Sequence, residues 1–304
     1  MAKELLWGQV MRLQSGFYQV QTDQGRYTCR LRGRFKHGRA EGDLVALGDW
    51  VGIQVQPDGS GAIEEIRPRE HALVRSAPTA RGTYQQVLLA NPNQVVFVFA
   101  CANPTPHLRM LDRFLVIAER QGIPALIAAN KSDLLAEEAA QALFAPYPAL
   151  GYPVIFTSAR TGRGVDELRS RLQGRLSALA GPSGVGKSSL LNAVQPELGL
   201  AVREVSDATT KGRHTTVVRE MFALNEGGMV ADLPGVRMLS LWDIQPEELD
   251  GYFPELRDLV QHCQFNDCTH QNEPGCAVTA AVESGQVSPQ RYESYLRLRF
   301  GEED

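Results

Sequence analysis

Residues 181–189 have the types and spacing that bind phosphate groups. They match the phosphate-loop pattern G-x-x-x-x-G-K-[ST] and lie between a predicted strand, 176–180, and a helix predicted from about residue 188. Glycines let backbone N–H groups surround phosphate oxygens, and the helix start adds the positive end of its dipole. The alternative is a glycine-rich turn before an ordinary helix. The expected nucleotide-binding residues are Gly181, Pro182, Ser183, Gly184, Val185, Gly186, Lys187, Ser188 and Ser189.

Two of these residues, together with a later motif, are expected to bind the outer phosphates and their Mg²⁺. Lys187 would place a compact positive charge there, and Ser188 is an expected ligand of Mg²⁺. The D-x-x-G pattern from Asp232 to Gly235 would hold Mg²⁺ through water and turn the glycine N–H toward a γ-phosphate. The D-x-x-G pattern is also common in ordinary turns. It indicates magnesium binding here because the same chain carries a phosphate-loop motif.

The polar loop 209–216 lies between these two motifs, where a magnesium-sensing switch is expected. Thr216 is favoured over Thr215 as its magnesium ligand. A glutamine that orients the attacking water often follows D-x-x-G, but here the next residue is Val236, which has no side-chain hydrogen bond to offer. His214 is therefore the candidate catalytic residue, with a structural histidine as the alternative.

A second motif predicts that the base is guanine. Asn130, Lys131 and Asp133 form N-K-x-D at the end of a predicted strand, 125–129. A carboxylate at 133 accepts the two adjacent donors of guanine, whereas adenine would leave it unpaired. Ser158 and Ala159, after another strand, 153–156, predict a supporting loop whose backbone N–H meets the guanine oxygen. An ATPase is accordingly the least favoured reading.

The order of the motifs is permuted. In ordinary GTPases the phosphate loop comes first and N-K-x-D follows, whereas here N-K-x-D and Ser158-Ala159 precede the phosphate loop. Reconnecting the elements at surface loops leaves the site intact. Strands alternate with helices from residue 94 onward, which predicts a mostly parallel sheet in an α/β domain.

Four soft ligands lie close together near the end of the chain. Cys263, Cys268, His270 and Cys276 suit tetrahedral Zn²⁺ and leave no position for water, so a single structural zinc is expected. Flanking helices are predicted at 247–260 and 291–300.

The first 70 residues predict a small β-barrel, because short alternating runs are separated by glycine turns. A stretch between residues 25 and 40 is basic, without any acid, and suits a nucleic-acid backbone, although a solvated strand face is the alternative. Residues 67–83 are expected to form a linker. The basic stretch at 25–40 contains Arg26, Tyr27, Arg30, Arg32, Arg34, Phe35, Lys36 and Arg39.

The whole-chain composition limits the choices. Hydrophobic content of 43% with 22% charged residues is typical of a globular protein, and a net charge of −4 confines any nucleic-acid contact to local patches. No run is long enough to cross a bilayer and the first residues lack a signal-peptide core, so a cytoplasmic protein is expected. Nothing in the sequence marks a dimer interface, and a monomer is expected.

The permuted motifs, the G-R-H-T-T run at 212–216 and the Cys-Cys-His-Cys spacing together resemble the small-ribosomal-subunit biogenesis GTPase RsgA (YjeQ/YloQ) family. The resemblance covers nearly the whole chain. It implies an OB-fold at 1–70, a circularly permuted GTPase domain at 71–240 and a mainly α-helical zinc-binding domain at 241–304. It also implies GTP hydrolysis stimulated by the 30S subunit during its late maturation, contact with 16S rRNA, and a catalytic role for His214.

Two other functions stay open at this point. An RNA-binding scaffold would keep the nucleotide only as a structural element, and a P-loop GTPase could serve a non-ribosomal target. The expected cofactors are GTP or GDP, Mg²⁺ and one Zn²⁺.

Overall fold

A computed structural model describes residues 4–33, 35, 43–79, 82–202, 219–233 and 244–301, with only the backbone at 76–79 and 82–83. Its first five strands form a closed barrel in the order β1-β2-β3-β5-β4, and β4 returns to β1. The β3–β5 pair is parallel and the other pairs are antiparallel. These strands are β1 (Leu6–Gln14), β2 (Phe17–Thr22), β3 (Gly25–Leu31), β4 (Trp50–Val55) and β5 (Gly61–Ile66).

The barrel follows from the alternation in the sequence. Inward positions such as Val10, Val20 and Ile53 are fully buried in one apolar cluster, while the residues between them face outward. The predicted OB-like barrel is therefore confirmed.

The linker expected at 67–83 is wrong. Strands β6 (Ala72–Thr79) and β7 (Gly82–Ala90) form an antiparallel hairpin in this region. Leu73 lies opposite Leu89, and both are fully buried, so apolar cross-strand packing overrides the polar turn residues.

The central domain is a mostly parallel sheet in the order β10-β9-β8-β11-β13-β12, in which only β12 is antiparallel to its neighbour. Its buried strands are rich in valine, alanine and leucine, as expected for a sheet covered on both faces. The strands are β8 (Gln94–Ala100), β9 (Ala125–Asn130), β10 (Val154–Phe156), β11 (Leu176–Ala180), β12 (Arg219–Ala223) and β13 (Met229–Asp232).

Helices cover both faces of this sheet and create two apolar clusters. On one face Phe114 of α1 packs on Phe97 and Phe99 of β8. On the other, Leu168 of α4 and Leu190 of α5 belong to one cluster. The helices are α1 (Leu108–Arg120), α2 (Glu137–Phe144), α3 (Pro146–Ala149), α4 (Val165–Leu172) and α5 (Lys187–Val194).

The C-terminal region is mainly helical, but the single helix expected at 247–260 is wrong. Two 3₁₀ turns (Pro246–Tyr252 and Val260–His262) flank the short α6 (Pro254–Arg257), followed by α7 (Ala277–Glu283) and α8 (Pro289–Phe300). Pro254 lacks an N–H donor and starts a new helix instead of continuing one.

A buried ionic cluster joins this region to the central domain. Arg291 of α8 donates to Asp112 of α1 at 2.7 Å and to Glu255 at 2.6 Å, and Ser294 and Tyr147 complete the partners of Asp112. On the N-terminal side, β1 pairs with β12, which joins the barrel to the central sheet. Within the described ranges, no helix is both long and apolar enough to span a lipid bilayer.

Candidate functional site

The phosphate loop leaves the fully buried strand β11 and enters α5 with little room for side chains. A Cβ on Gly181 would lie 2.1 Å from the carbonyl oxygen of Val98, and the φ of this residue is +153°. A Cβ on Gly186, at φ +90°, would lie 2.7 Å from the side-chain nitrogen of Asn130. Both positions therefore require glycine.

Lys187 folds back over the loop. Its ammonium donates to the carbonyl oxygens of Gly181 at 2.9 Å and Pro182 at 2.8 Å. A phosphate oxygen could take the place of these two carbonyl acceptors, because the lysine carries a compact charge on a flexible stem. Ser188 and Ser189 follow in the first turn of α5 and are half-buried.

Asn130 ties three loops together. Its amide nitrogen donates to Val185 in the phosphate loop at 2.8 Å, and its amide oxygen accepts from the Thr157 hydroxyl at 3.2 Å. Asn130 is only 1% exposed, so these bonds form away from water and hold the loop ends in one place.

Lys131 adds a second link to the phosphate loop. Its ammonium donates to the carbonyl oxygen of Gly184 at 2.7 Å and also to that of Asn103, after β8. Burial lowers the pKa of Lys131 from its usual value, against the opposing effect of Asp133. The N-K-x-D loop and the phosphate loop therefore form one surface, although the sequence separates them.

Asp133 has a hydrogen-bond partner on each carboxylate oxygen. Ser158 donates to one oxygen at 2.6 Å, and Arg160 lies 2.5 Å from the other. The hydrogen bond from Ser158 is the largest cause, with Arg160 adding to it, of an Asp133 pKa below its ordinary value. Ala159 is half-buried between these two partners.

Asp232 ends β13 beside β11, with Leu179 as its partner in the register. Its Oδ1 is buried and has no hydrogen-bond partner among the residues that the structure describes. Burial raises the pKa of Asp232, and Lys187 opposes that shift. A buried carboxylate oxygen without a partner fits a role in holding a hydrated Mg²⁺.

Other predicted site residues lie outside the described residues. These are His214, Thr215 and Thr216 at 203–218, and Gly235 and Val236 at 234–243.

The four predicted zinc ligands come together. The ligand atoms of Cys263, Cys268, His270 and Cys276 all lie within 4.8 Å of one another. The Nδ1 of His270 faces two of the sulfurs, at 3.5 and 3.4 Å, while its Nε2 lies 3.2 Å from Asp250. A carboxylate on the far nitrogen of a histidine orients the ring toward a metal. Three sulfurs and a nitrogen fit Zn²⁺.

The barrel surface is only partly as expected. Tyr27 packs against the barrel core, so it is not part of an outer basic face. The sequence reasoning missed Phe17, over which the Arg30 guanidinium lies at 4.4 Å, and a second group in which Arg67 lies near Trp7 and Trp50. The period of two along the strands could have separated the outward positions from Tyr27.

A groove of about 320 Å³ opens beside Phe17 on this outer face. Phe17 is the one apolar residue among those that line it, which are Arg12, Gln14, Ser15, Phe17, Gln19 and Thr28. Arg34, Lys36 and Arg39 of the basic stretch lie outside the described residues.

Known proteins resemble this chain over almost its full length. The family models RsgA GTPase and RsgA N-terminal domain match residues 66–242 and 7–63. A protein of Gemmatimonas aurantiaca and one of Moorella thermoacetica, both named small ribosomal subunit biogenesis GTPase RsgA, are 50% and 46% identical. The first match covers 96% of each chain, and the second covers 95% of this chain and 94% of the other.

Two solved structures share the fold. The crystal structure of YjeQ from Thermotoga maritima has a TM-score of 0.78 and 35% identity, and covers 97% of this chain and 98% of that one. The structure of YloQ, described as a circularly permuted GTPase, has a TM-score of 0.74 and 32% identity over 98% of this chain and 94% of that one. The chain belongs to the RsgA GTPase family, and it is a GTPase.

Proposed function

We propose that this chain hydrolyses GTP to GDP and phosphate on the 30S subunit and acts in the late maturation of that subunit. Support for the ribosomal role comes from relatives named small ribosomal subunit biogenesis GTPase RsgA. The observation that carries the nucleotide chemistry is the pair of hydrogen bonds from Asn130 and Lys131 to the phosphate loop. They hold the proposed base-reading loop in direct contact with the proposed phosphate-binding loop.

Asp133 selects guanine in this proposal. Its ionised carboxylate accepts from the ring N1–H and the 2-amino group, and Lys131 lies along the base. Ala159 presents its backbone N–H to the guanine oxygen. The support is the position of Asp133 on the loop that Lys131 joins to the phosphate loop, and an aspartate carboxylate is ionised, and therefore an acceptor, at neutral pH.

The phosphates bind at residues 181–189, with Lys187 turning from the carbonyl oxygens of its own loop to the outer phosphates. Ser188 and Thr216 would hold Mg²⁺ directly, Asp232 would hold it through water, and Gly235 would face the γ-phosphate. When bound, the ion neutralises charge on the β- and γ-phosphates. The partnerless oxygen of Asp232 supports this assignment.

His214 orients the attacking water, because the residue after D-x-x-G is Val236. Docking on the ribosomal subunit completes this arrangement, so intrinsic turnover is slow and stimulated turnover is fast. Cys263, Cys268, His270 and Cys276 hold one structural Zn²⁺, which stabilises a C-terminal region too small to be stable on its own core.

The barrel contacts 16S rRNA in this proposal. Its outer face combines the exposed Phe17 ring with the guanidinium groups of Arg12 and Arg30, a combination that stacks on bases and binds phosphates. The protein acts in the cytoplasm as a monomer, with its domains divided at 1–70, 71–240 and 241–304.

The deciding experiment is GTP turnover measured with and without purified 30S subunits. We expect slow release of phosphate alone and a stimulation of at least tenfold with the subunits, with 50S subunits as the matched control. Equal turnover under all three conditions would remove the ribosomal role. No turnover even with excess 30S would favour an RNA-binding scaffold that keeps its nucleotide as a structural element.

A further inference from the structure

Arg160 lies where the guanine edge is expected to bind. Its Nη2 is 2.5 Å from Oδ2 of Asp133, while the hydroxyl of Ser158 donates to Oδ1 at 2.6 Å. The carboxylate therefore has a partner on each oxygen in this structure. The Arg160 side chain is 72% exposed and that of Asp133 is 11% exposed, so the arginine reaches in from solvent.

The two possible partners of Asp133 have the same donor geometry. The edge of guanine that a carboxylate reads consists of two N–H donors on nitrogens that share one carbon, in a plane. A guanidinium presents the same arrangement, and that is why it pairs well with carboxylates. Arginine is thus the side chain that most resembles the reading edge of guanine.

We propose that Arg160 is an intramolecular competitor of guanine, which holds Asp133 when no nucleotide is bound and must leave before the base can pair. The proposal rests on the proposed function, in which Asp133 reads guanine. Because it holds one carboxylate oxygen of Asp133, Arg160 lowers the affinity for guanine nucleotides.

When guanine binds, Ser158 is expected to keep its hydrogen bond to Asp133 while Arg160 moves away from it. Ser158 is fully buried, and its hydroxyl oxygen accepts from the N–H of Thr161 at 3.2 Å. Oδ1 has a second lone pair for guanine, whereas Oδ2 becomes free only when Arg160 moves away. Because the Arg160 side chain is mostly in water, its ion pair with Asp133 stabilises weakly, so this displacement costs little and the effect on affinity is small but measurable.

The loop does not need the Arg160 side chain to keep its shape. Backbone hydrogen bonds close it, from Ser158 N–H to Arg163 at 2.9 Å and from Gly162 N–H to Ser158 at 2.9 Å. Substitution of Arg160 therefore tests its charge and its donors, and not the folding of the loop.

The experiment compares the GDP affinity of the unmodified protein with that of the Arg160→Ala variant, by titration calorimetry at low and high salt. We expect Arg160→Ala to bind GDP about two- to fivefold more tightly at low salt, the range of an exposed ion pair. The difference should vanish as salt screens the pair. Arg160→Gln, which removes the charge but keeps the length, should also bind more tightly and serves if the alanine variant does not fold.

Arg163→Ala is the matched control, because Arg163 also carries an exposed ion pair in this loop, with Glu137 at 2.8 Å. Its GDP affinity should equal that of the unmodified chain. Unchanged or weaker GDP binding by Arg160→Ala and Arg160→Gln, with the preference for GDP over ADP retained, would overturn the competition while leaving the proposed function intact. Absence of that preference in the unmodified chain would overturn both.

Discussion

Asn130 and Val185 are 55 positions apart in the chain and are joined by a hydrogen bond of 2.8 Å. The bond connects the end of β9 to the phosphate loop, so the protein's own contacts hold the N-K-x-D loop against the phosphate loop. Such preorganisation reduces the entropy lost on binding.

Asn130→Ala is expected to destabilise the protein by about 1–3 kcal/mol, because it leaves the Val185 carbonyl and the Thr157 hydroxyl without their partner. GDP affinity should fall about tenfold or more as the loops separate. Chemical denaturation with and without GDP measures both effects. Ser132→Ala is the control from the same loop, since its buried hydroxyl oxygen has no hydrogen-bond partner in the described part of the chain. Equal losses in the two variants would contradict this role of Asn130.

Asp133→Asn should reverse the choice of base. The amide donates where the carboxylate accepts, so GDP affinity should fall about 10- to 100-fold, the cost of a charged hydrogen bond. The affinity for xanthosine diphosphate should rise, since xanthine carries an oxygen in place of the 2-amino group. Competition binding with both nucleotides measures the change. Asp166→Asn, on an exposed carboxylate of α4, should leave the preference as it was. Retention of guanine preference by Asp133→Asn would disprove the assignment.

The sequence predicted much of this site because its motifs combine fixed spacing with a chemical requirement. Gly181 and Gly186 must be glycine on steric grounds, and the loop that contains them connects a strand to a helix, as its motif predicted. The clustering of Cys263, Cys268, His270 and Cys276 was also predictable, since soft ligands concentrated in a short stretch rarely serve anything but a metal.

Contacts that depend on register or on a long side chain could not be read in this way. The β6–β7 hairpin depends on Leu73 meeting Leu89 across a polar turn. The ion pair between Arg160 and Asp133 depends on the conformation of an exposed side chain, which the sequence does not specify. The helix expected at 247–260 could have been corrected, because Pro254 stands within it.

Asp232→Asn is expected to stabilise the protein without nucleotide, on the order of 1 kcal/mol at neutral pH. Burial raises the Asp232 pKa in the folded state, so the ionised carboxylate costs stability that is recovered as the pH falls through that raised pKa. The advantage of the variant should therefore shrink toward acid pH. Denaturation at several pH values measures it, and magnesium-dependent turnover should fall in the same variant.

Asp112→Asn provides the contrast, because Asp112 is fully buried, whereas Asp232 is half-buried, and Asp112 has Arg291, Ser294 and Tyr147 as partners. This substitution should cost about 3–5 kcal/mol, since it leaves the Arg291 charge buried without full compensation. Equal and destabilising effects of the two substitutions would contradict the idea that the Asp232 oxygen is kept free for an ion.

Zinc removal should loosen the C-terminal region. Purified protein is expected to contain one zinc per chain by elemental analysis, and a chelator or Cys268→Ser should remove it and expose residues 244–301 to protease. Cys101→Ser is the matched control, since this buried thiol lies at the end of β8, away from the cluster. Zinc content that survives Cys268→Ser unchanged, with unchanged protease resistance, would rule out the four-residue site.

Phe17→Ala and Arg30→Ala test the outer face of the barrel as the RNA contact. Loss of the ring should weaken binding to 30S subunits by about 1–3 kcal/mol if a base stacks on it. Loss of the guanidinium should weaken binding and reduce the slope of log K against log salt by about one, because one phosphate contact disappears.

Phe300→Ala is the control, since Phe300 is 48% exposed on α8, against 41% for Phe17 on the barrel. Co-sedimentation with 30S subunits over a range of salt concentrations measures both effects. Affinity and slope that stay equal to those of Phe300→Ala would place the RNA contact elsewhere on the protein.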